Sequence, residues 1–136
     1  MKKLFCLCFC LLLFIQGNES ILQIRRYHAK VVILGKIIEE SDFFGRKVFK
    51  GKVINKGRER ADFVQIEFTM FNKRGKVINK KSIFINGSRY VFGDSTVSTS
   101  SLKINETGTF KCYTGVKSDS IATYKFKIKW KDYKYD

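Results

Sequence analysis

Few side chains in this chain are of the types that carry out covalent chemistry. His28 is the single histidine among 136 residues, and Cys112 is the only cysteine beyond the first ten residues, which contain Cys6, Cys8 and Cys10. A catalytic nucleophile needs a base held beside it, and a transition-metal site needs clustered His and Cys ligands. One histidine and one cysteine far apart in the chain do not indicate either arrangement. We therefore expect no catalytic residue, no metal site and no cofactor.

Oxygen ligands for calcium are the next possibility, because Glu39, Glu40 and Asp42 form a short acidic cluster. The alternative is a solvated turn whose carboxylates pair with the nearby Arg46 or Lys47. On a chain with formal net charge +15, we favour the paired turn.

Basic residues in predicted loops are the candidate binding residues. They are Arg58 and Arg60 in one loop and Lys73, Arg74 and Lys76 in another, with Arg25 and Arg26 near the N-terminus. Loops at the ends of a β-sandwich often bind partners, so converging basic loops would form a patch. The alternative, a scattered solvated surface, is the more common arrangement.

The charge balance itself points to anionic partners. An excess of positive charge raises the local concentration of nucleic acid, acidic glycans and anionic lipid. However, the chain has 20 lysines and 7 arginines, and the planar guanidinium of arginine is the better sign of phosphate recognition. We expect an anionic polymer as a possible partner, without specific nucleic-acid recognition.

The stretch YKFKIKWK (124–131) alternates lysines with apolar residues. Successive side chains of a strand point to opposite faces, which predicts Tyr124, Phe126, Ile128 and Trp130 on the core face and the lysines in solvent. A nucleic-acid platform needs aromatic and cationic side chains on one exposed face. The alternation therefore favours an ordinary strand, whose lysines also discourage association through its edge.

Strands with a period of two are predicted along the whole chain. The clearest is ADFVQIEFTMFN (61–72), followed by a tight turn at Gly75 and a returning strand; Gly35 is predicted to form a bulge. The segment 90–101 is polar and small, which predicts a connection that skirts the sheet edge and that could include a short strand. TFKCYT predicts a strand that buries Cys112. About seven short strands separated by turns predict an immunoglobulin-like antiparallel β-sandwich.

Residues 1–17 have the layout of a secretory signal peptide. Lys2 and Lys3 precede an apolar run from Leu4 to Ile15, and the small residue Gly17 follows. A run of this length is shorter than the roughly 20 residues that cross a bilayer. An uncleaved anchor and a lipid-modified cysteine are the alternatives. We expect an exported protein (periplasmic, secreted or on the cell surface), with residues 18–136 as a single domain.

Three segments resemble the FxLYD domain, a small immunoglobulin-like module of exported and membrane-attached microbial proteins. They are GKVINKG (51–57), ADFVQIEFTMFNKRGKV (61–77) and LKINETGTF (102–110). The name motif corresponds to Phe68-Thr69-Met70-Phe71-Asn72, with similar residues at three altered positions, and the proline of the later turn is missing. The resemblance covers about residues 46–130. It implies an immunoglobulin-like fold and an exported location, and it supplies no catalytic residues.

Together these features predict an exported, non-enzymatic structural or interaction module that binds an unidentified envelope or extracellular protein. The alternative is a secreted basic protein that binds anionic polymers or anionic membrane surfaces through its lysine-rich faces. The two differ in their response to salt, since binding driven by counterion release weakens steeply as salt rises.

Overall fold

The computed structural model describes residues 27–132. The strands in chain order are β1 (Val31–Ser41), β2 (Arg46–Asn55), β3 (Ala61–Phe71), β4 (Val77–Phe84), β5 (Ser88–Val91), β6 (Val97–Ser101), β7 (Thr107–Lys117) and β8 (Thr123–Asp132). A 3₁₀ turn at Ser118–Ser120 precedes β8. The predicted all-β class is confirmed, and residues 27–132 form eight strands where about seven were expected. The predicted signal peptide, Arg25 and Arg26 lie outside the described residues.

The strands form two main antiparallel sheets and one hairpin. The first sheet has the order β1-β2-β7, the second has the order β4-β3-β8, and β5 pairs with β6. Isolated bridges between Ala61 and Leu102 and between Asn86 and Thr109 link these pieces at their edges. The two three-stranded sheets enclose the core between them, as in a β-sandwich.

The core forms where the inward faces of the two sheets meet. Alternate apolar residues of β3 are buried, namely Val64, Ile66, Phe68 and Met70. From the facing sheet, the ring of Phe49 stacks on that of Phe68 with centroids 4.4 Å apart, and Cys112 is fully buried. The predicted inward face of β3 and the predicted burial of Cys112 are confirmed.

The polar segment 90–101 contains a short strand, β6, which forms a hairpin with β5, and the register of this hairpin shifts between Ser88 and Tyr90. Its buried side chains are serines rather than apolar residues. Ser101 donates to a carboxylate oxygen of the buried Asp62 at 2.6 Å, and the hydroxyl of Ser98 accepts a hydrogen bond from the amide of Phe63 at 3.2 Å. Buried polar groups that are hydrogen-bonded carry little penalty. Without apolar alternation, this hairpin had no periodic signal.

β8 occupies its predicted orientation, but one side chain is less buried than expected. Phe126 is in register with Phe68 on the core side of the sheet, yet it is 45% exposed. β8 is an edge strand, so it pairs with a strand on one side only. In the other sheet, the edge strand β1 shifts register between Leu34 and Ile38, around Gly35, which has a positive φ. The prediction that Phe126 is a core residue is therefore wrong. Alternation predicts the face of the sheet on which a side chain lies, but not whether other residues pack over that side chain.

Burial makes Cys112 a testable reporter of the core. Burial raises the pKa of the Cys112 thiol, with a small opposing effect from the charge of Lys81. In a chain of residues 18–136, where Cys112 is the single cysteine, we expect a thiol reagent to label it slowly in the native state and quickly in denaturant. The pKa of this thiol is about 8.5 in the unfolded chain and higher in the folded chain, so stability falls as pH rises above about 8.5. Fast labelling of the native protein would contradict the buried position.

Candidate functional site

The candidate binding residues of the loops lie in two separate places. Arg58 and Arg60 are in the loop between β2 and β3, whereas Lys73, Arg74 and Lys76 are in the hairpin between β3 and β4. These connections are at opposite ends of β3, a strand that spans roughly 33 Å at about 3.3 Å per residue. The structure therefore does not bring the two groups together in one basic patch.

Within the first group, Arg60 is held by neighbouring side chains. Its guanidinium donates two hydrogen bonds to the carboxylate of Asp62, at 2.8 and 3.1 Å, and lies 3.3 Å from the ring centre of Tyr90. Arg58 is exposed, with its guanidinium 5.9 Å from the ring of Tyr27. These contacts give Arg60 a structural role in the fold and leave Arg58 as the more accessible of the two.

The second group is presented by a tight turn. The side-chain oxygen of Asn72 accepts hydrogen bonds from the amides of Arg74 and Lys76 at 2.9 and 3.0 Å, and Gly75 has φ of 74°. The predicted turn is confirmed, and the side chains of Lys73, Arg74 and Lys76 are exposed on it.

The acidic cluster pairs with basic side chains, as the favoured interpretation predicts. The carboxylate of Asp42 accepts the Arg46 amide and, at 2.8 Å, the Arg46 guanidinium, and the hydrogen bond from the Arg46 amide contributes most to lowering the pKa of Asp42. Glu39 pairs with Lys47 at 2.9 Å. Glu40 pairs with Lys50. No group of three or more possible metal ligands is present among residues 27–132.

A second group of basic side chains, not singled out as a binding site from the sequence, lies on the outside of the β4-β3-β8 sheet. We define the lysine face by the outward lysines of this sheet, which are Lys80, Lys125, Lys127, Lys129 and Lys131. Their direction follows from register. Thr69 of β3 pairs with Lys80 on one side and Lys125 on the other, while the alternate residues of β3 are buried. On β8, consecutive lysines of the face are roughly 7 Å apart.

Glu67 lies at the centre of the lysine face. Lys129 donates to its carboxylate at 2.8 Å, and this hydrogen bond is the main reason that the pKa of Glu67 is lowered; the charges of Lys80 and Lys127 act in the same direction. One carboxylate therefore lies among several ammonium groups. The remaining positive charge would favour a negatively charged ligand.

Aromatic rings border the lysine face, although alternation within β8 turns its own aromatic residues inward. Lys125 lies 5.8 Å from the ring of Phe71, and Lys131 lies 5.1 Å from the ring of Phe63. Phe84 of β4 is exposed and in register with Gln65 of β3, which separates it from Lys129 of β8. These rings come from neighbouring strands, so the sequence of β8 contained no signal for them.

The outside of the other sheet is basic too, but its charge is mixed with apolar side chains. An open cleft of about 720 Å³ is lined in part by Leu34, Ile38 and Phe84, together with Lys52 and Lys111. Lys111 lies 4.8 Å from the ring of Tyr113. Lysines of this sheet provide a natural comparison for those of the lysine face.

His28 lies where the described chain begins, and it faces the end of β8. Its Nδ1 atom is 3.5 Å from the carboxylate of Asp132, which also accepts the amide of Ala29 at 2.9 Å. These contacts hold the start of the described chain against β8.

No described residue belongs to a helix long and apolar enough to cross a membrane. Comparison of the chain with family models, curated proteins and solved structures found no match. The resemblance to the FxLYD domain therefore stays a prediction from its motif residues.

Proposed function

We propose that this chain is an exported, non-enzymatic immunoglobulin-like module that binds an anionic macromolecular partner, an envelope or extracellular protein, through the lysine face. The observation that carries the proposal is the charge arrangement on the β4-β3-β8 sheet. The outward side chains of this sheet include five lysines, and the carboxylate of Glu67 pairs with one of them, Lys129. The signal-like residues 1–17 and the FxLYD-like segments support export and the module type.

A second candidate function is favoured by the presence of lysines on both sheets. A secreted protein that binds anionic polymers or anionic membranes by charge alone needs no particular face. The cleft on the β1-β2-β7 sheet, with Lys52 and Lys111 at its surface, would serve such binding as well as the lysine face does. Under this alternative, affinity follows net charge and falls steeply with salt.

Charge-matched variants separate the two functions. One variant replaces Lys125, Lys127 and Lys131 by threonine, and the control replaces Lys36, Lys52 and Lys111 by threonine; all six are exposed lysines of strands. Both variants lose three positive charges, and threonine suits a strand. The anionic probe is a single-stranded oligonucleotide, for which each lysine–phosphate contact contributes roughly 0.7 to the slope of log affinity against log salt. Because the first variant loses three lysines, we expect the magnitude of this slope to fall by about 2.

The control is expected to bind the probe with a slope close to that of the unmodified chain. Equal losses in the two variants would show that binding follows net charge, which favours the second candidate. Unchanged binding in the variant of the lysine face would contradict the proposal.

A further inference from the structure

The outer edge of β8 is available for pairing with another strand. Among the described strands, β3 alone pairs with β8, so one edge of β8 carries backbone N–H and C=O groups that point away from the sheet. A peptide that adds to such an edge gains main-chain hydrogen bonds, and its alternating side chains meet the two faces of the sheet.

The core is incompletely covered beside this edge. Phe126 is an inward residue, in register with the buried Phe68, and still exposes 45% of its surface. Ile128 of β8, and Ile33 and Ile37 of β1, a strand that contacts β8, pack against the core and are only partly buried. An added strand at this edge would cover Phe126 with its own inward side chains and remove apolar surface from water.

The other face of β8 restricts the chemistry of the added strand. The lysines of β8 project outward at every second position, and Lys129 pairs with Glu67 across to β3. A second copy of β8 at this edge would place lysines beside lysines, which is destabilising. A strand with Asp or Glu on its outward face would instead repeat the pairing that Glu67 already makes with Lys129.

We propose that the free edge of β8 binds an extended segment of a protein partner in which acidic and apolar residues alternate. Its acidic side chains pair with Lys125, Lys127 and Lys131, and its apolar side chains cover Phe126. The inference rests on the proposed function and deepens it, because it identifies the anionic partner as a β-strand with this alternation.

The test uses the chain of residues 18–136 and a synthetic peptide of alternating Glu and Val, with a control peptide of the same composition in which the valines are contiguous. Amide hydrogen exchange is followed along the chain. The alternating peptide is expected to slow exchange in β8 (Thr123–Asp132), whereas the control peptide is not. Replacement of Phe126 by threonine is expected to weaken the alternating peptide about tenfold, as loss of an aromatic contact at an interface does.

Equal binding of both peptides without protection of β8 would overturn strand addition and leave the proposed function of the lysine face intact. No binding of either peptide, together with no binding of the oligonucleotide, would overturn both. If β8 were accessible to the peptide only after removal of residues 18–26, that segment of the chain itself would be the occupant, and the proposal of a partner strand would be wrong. Concentration-dependent dimerisation through β8 would overturn it in favour of a second copy.

Discussion

Replacement of Phe68 by alanine is expected to lower the free energy of unfolding by about 3 to 5 kcal/mol, the usual cost of removing a buried aromatic ring. Phe68 is fully buried at the centre of β3. Its ring stacks on Phe49 at 4.4 Å and lies 5.9 Å from the ring of Phe110, both in the facing sheet. The cavity left by alanine would therefore open between the two sheets, where the surrounding strands have little freedom to close it.

Phe126 is the matched control for this substitution. It has the same side chain and lies in register with Phe68 on the neighbouring strand, with ring centroids 6.4 Å apart. Because nearly half of it is exposed, we expect Phe126→Ala to cost about 1 to 2 kcal/mol, roughly half of the transfer term. Denaturant unfolding of both variants measures the difference. Equal losses of unfolding free energy in the two variants would show that Phe126 is as buried as Phe68, which would contradict its exposed position.

Replacement of Asn55 by alanine is the second change with a large expected effect. Asn55 is fully buried at the end of β2. Its side-chain oxygen accepts hydrogen bonds from the amides of Lys30 and Gly57, at 3.1 and 2.9 Å. Its side-chain nitrogen donates to the carbonyls of Glu59 and Leu102, at 2.7 and 3.0 Å. Alanine would remove this partner from the amides of Lys30 and Gly57 and from the carbonyl of Glu59, at a cost of about 2 to 4 kcal/mol. The carbonyl of Leu102 would keep its hydrogen bond from the amide of Ala61.

Asn72 provides the comparison for Asn55. It also follows a strand and accepts hydrogen bonds from two backbone amides of its turn, but that turn is exposed. Water can replace the lost partner there, so Asn72→Ala is expected to cost less than about 1 kcal/mol. Thermal and denaturant unfolding of the two variants measures both values. A cost for Asn55→Ala no larger than that for Asn72→Ala would contradict a buried network that holds four backbone groups.

The strands with strong alternation were predictable from the sequence, because alternating apolar and polar residues indicate which side chains of a strand are buried. β3 alternates apolar and polar residues over its whole length, and its buried face is the predicted one. Gly35 and Gly75, predicted at a bulge and a turn, both have positive φ. The β5-β6 hairpin was not predictable, because its buried Ser98 and Ser101 are satisfied by partners that are distant in sequence.

The candidate site was predictable only in part, for a related reason. Alternation placed Lys125 and Lys127 in solvent, but it could not show that Lys80 of β4 shares their face, nor that Phe71 lies beside Lys125. Those neighbours depend on strand order and register, which are properties of the paired sheet. The loop residues Arg58 and Lys73 were grouped by composition, and the length of β3 separates them.

The most direct test of the central claim, that the lysine face binds an anionic partner, is to map amide chemical shifts while the chain is titrated with a single-stranded oligonucleotide. We expect the shift changes to concentrate on the lysine face and its strands, at Glu67, Lys80 and Lys127, whereas Lys52 and Lys111 of the other sheet change little. Shifts concentrated on the β1-β2-β7 sheet, or spread evenly over both sheets, would contradict it.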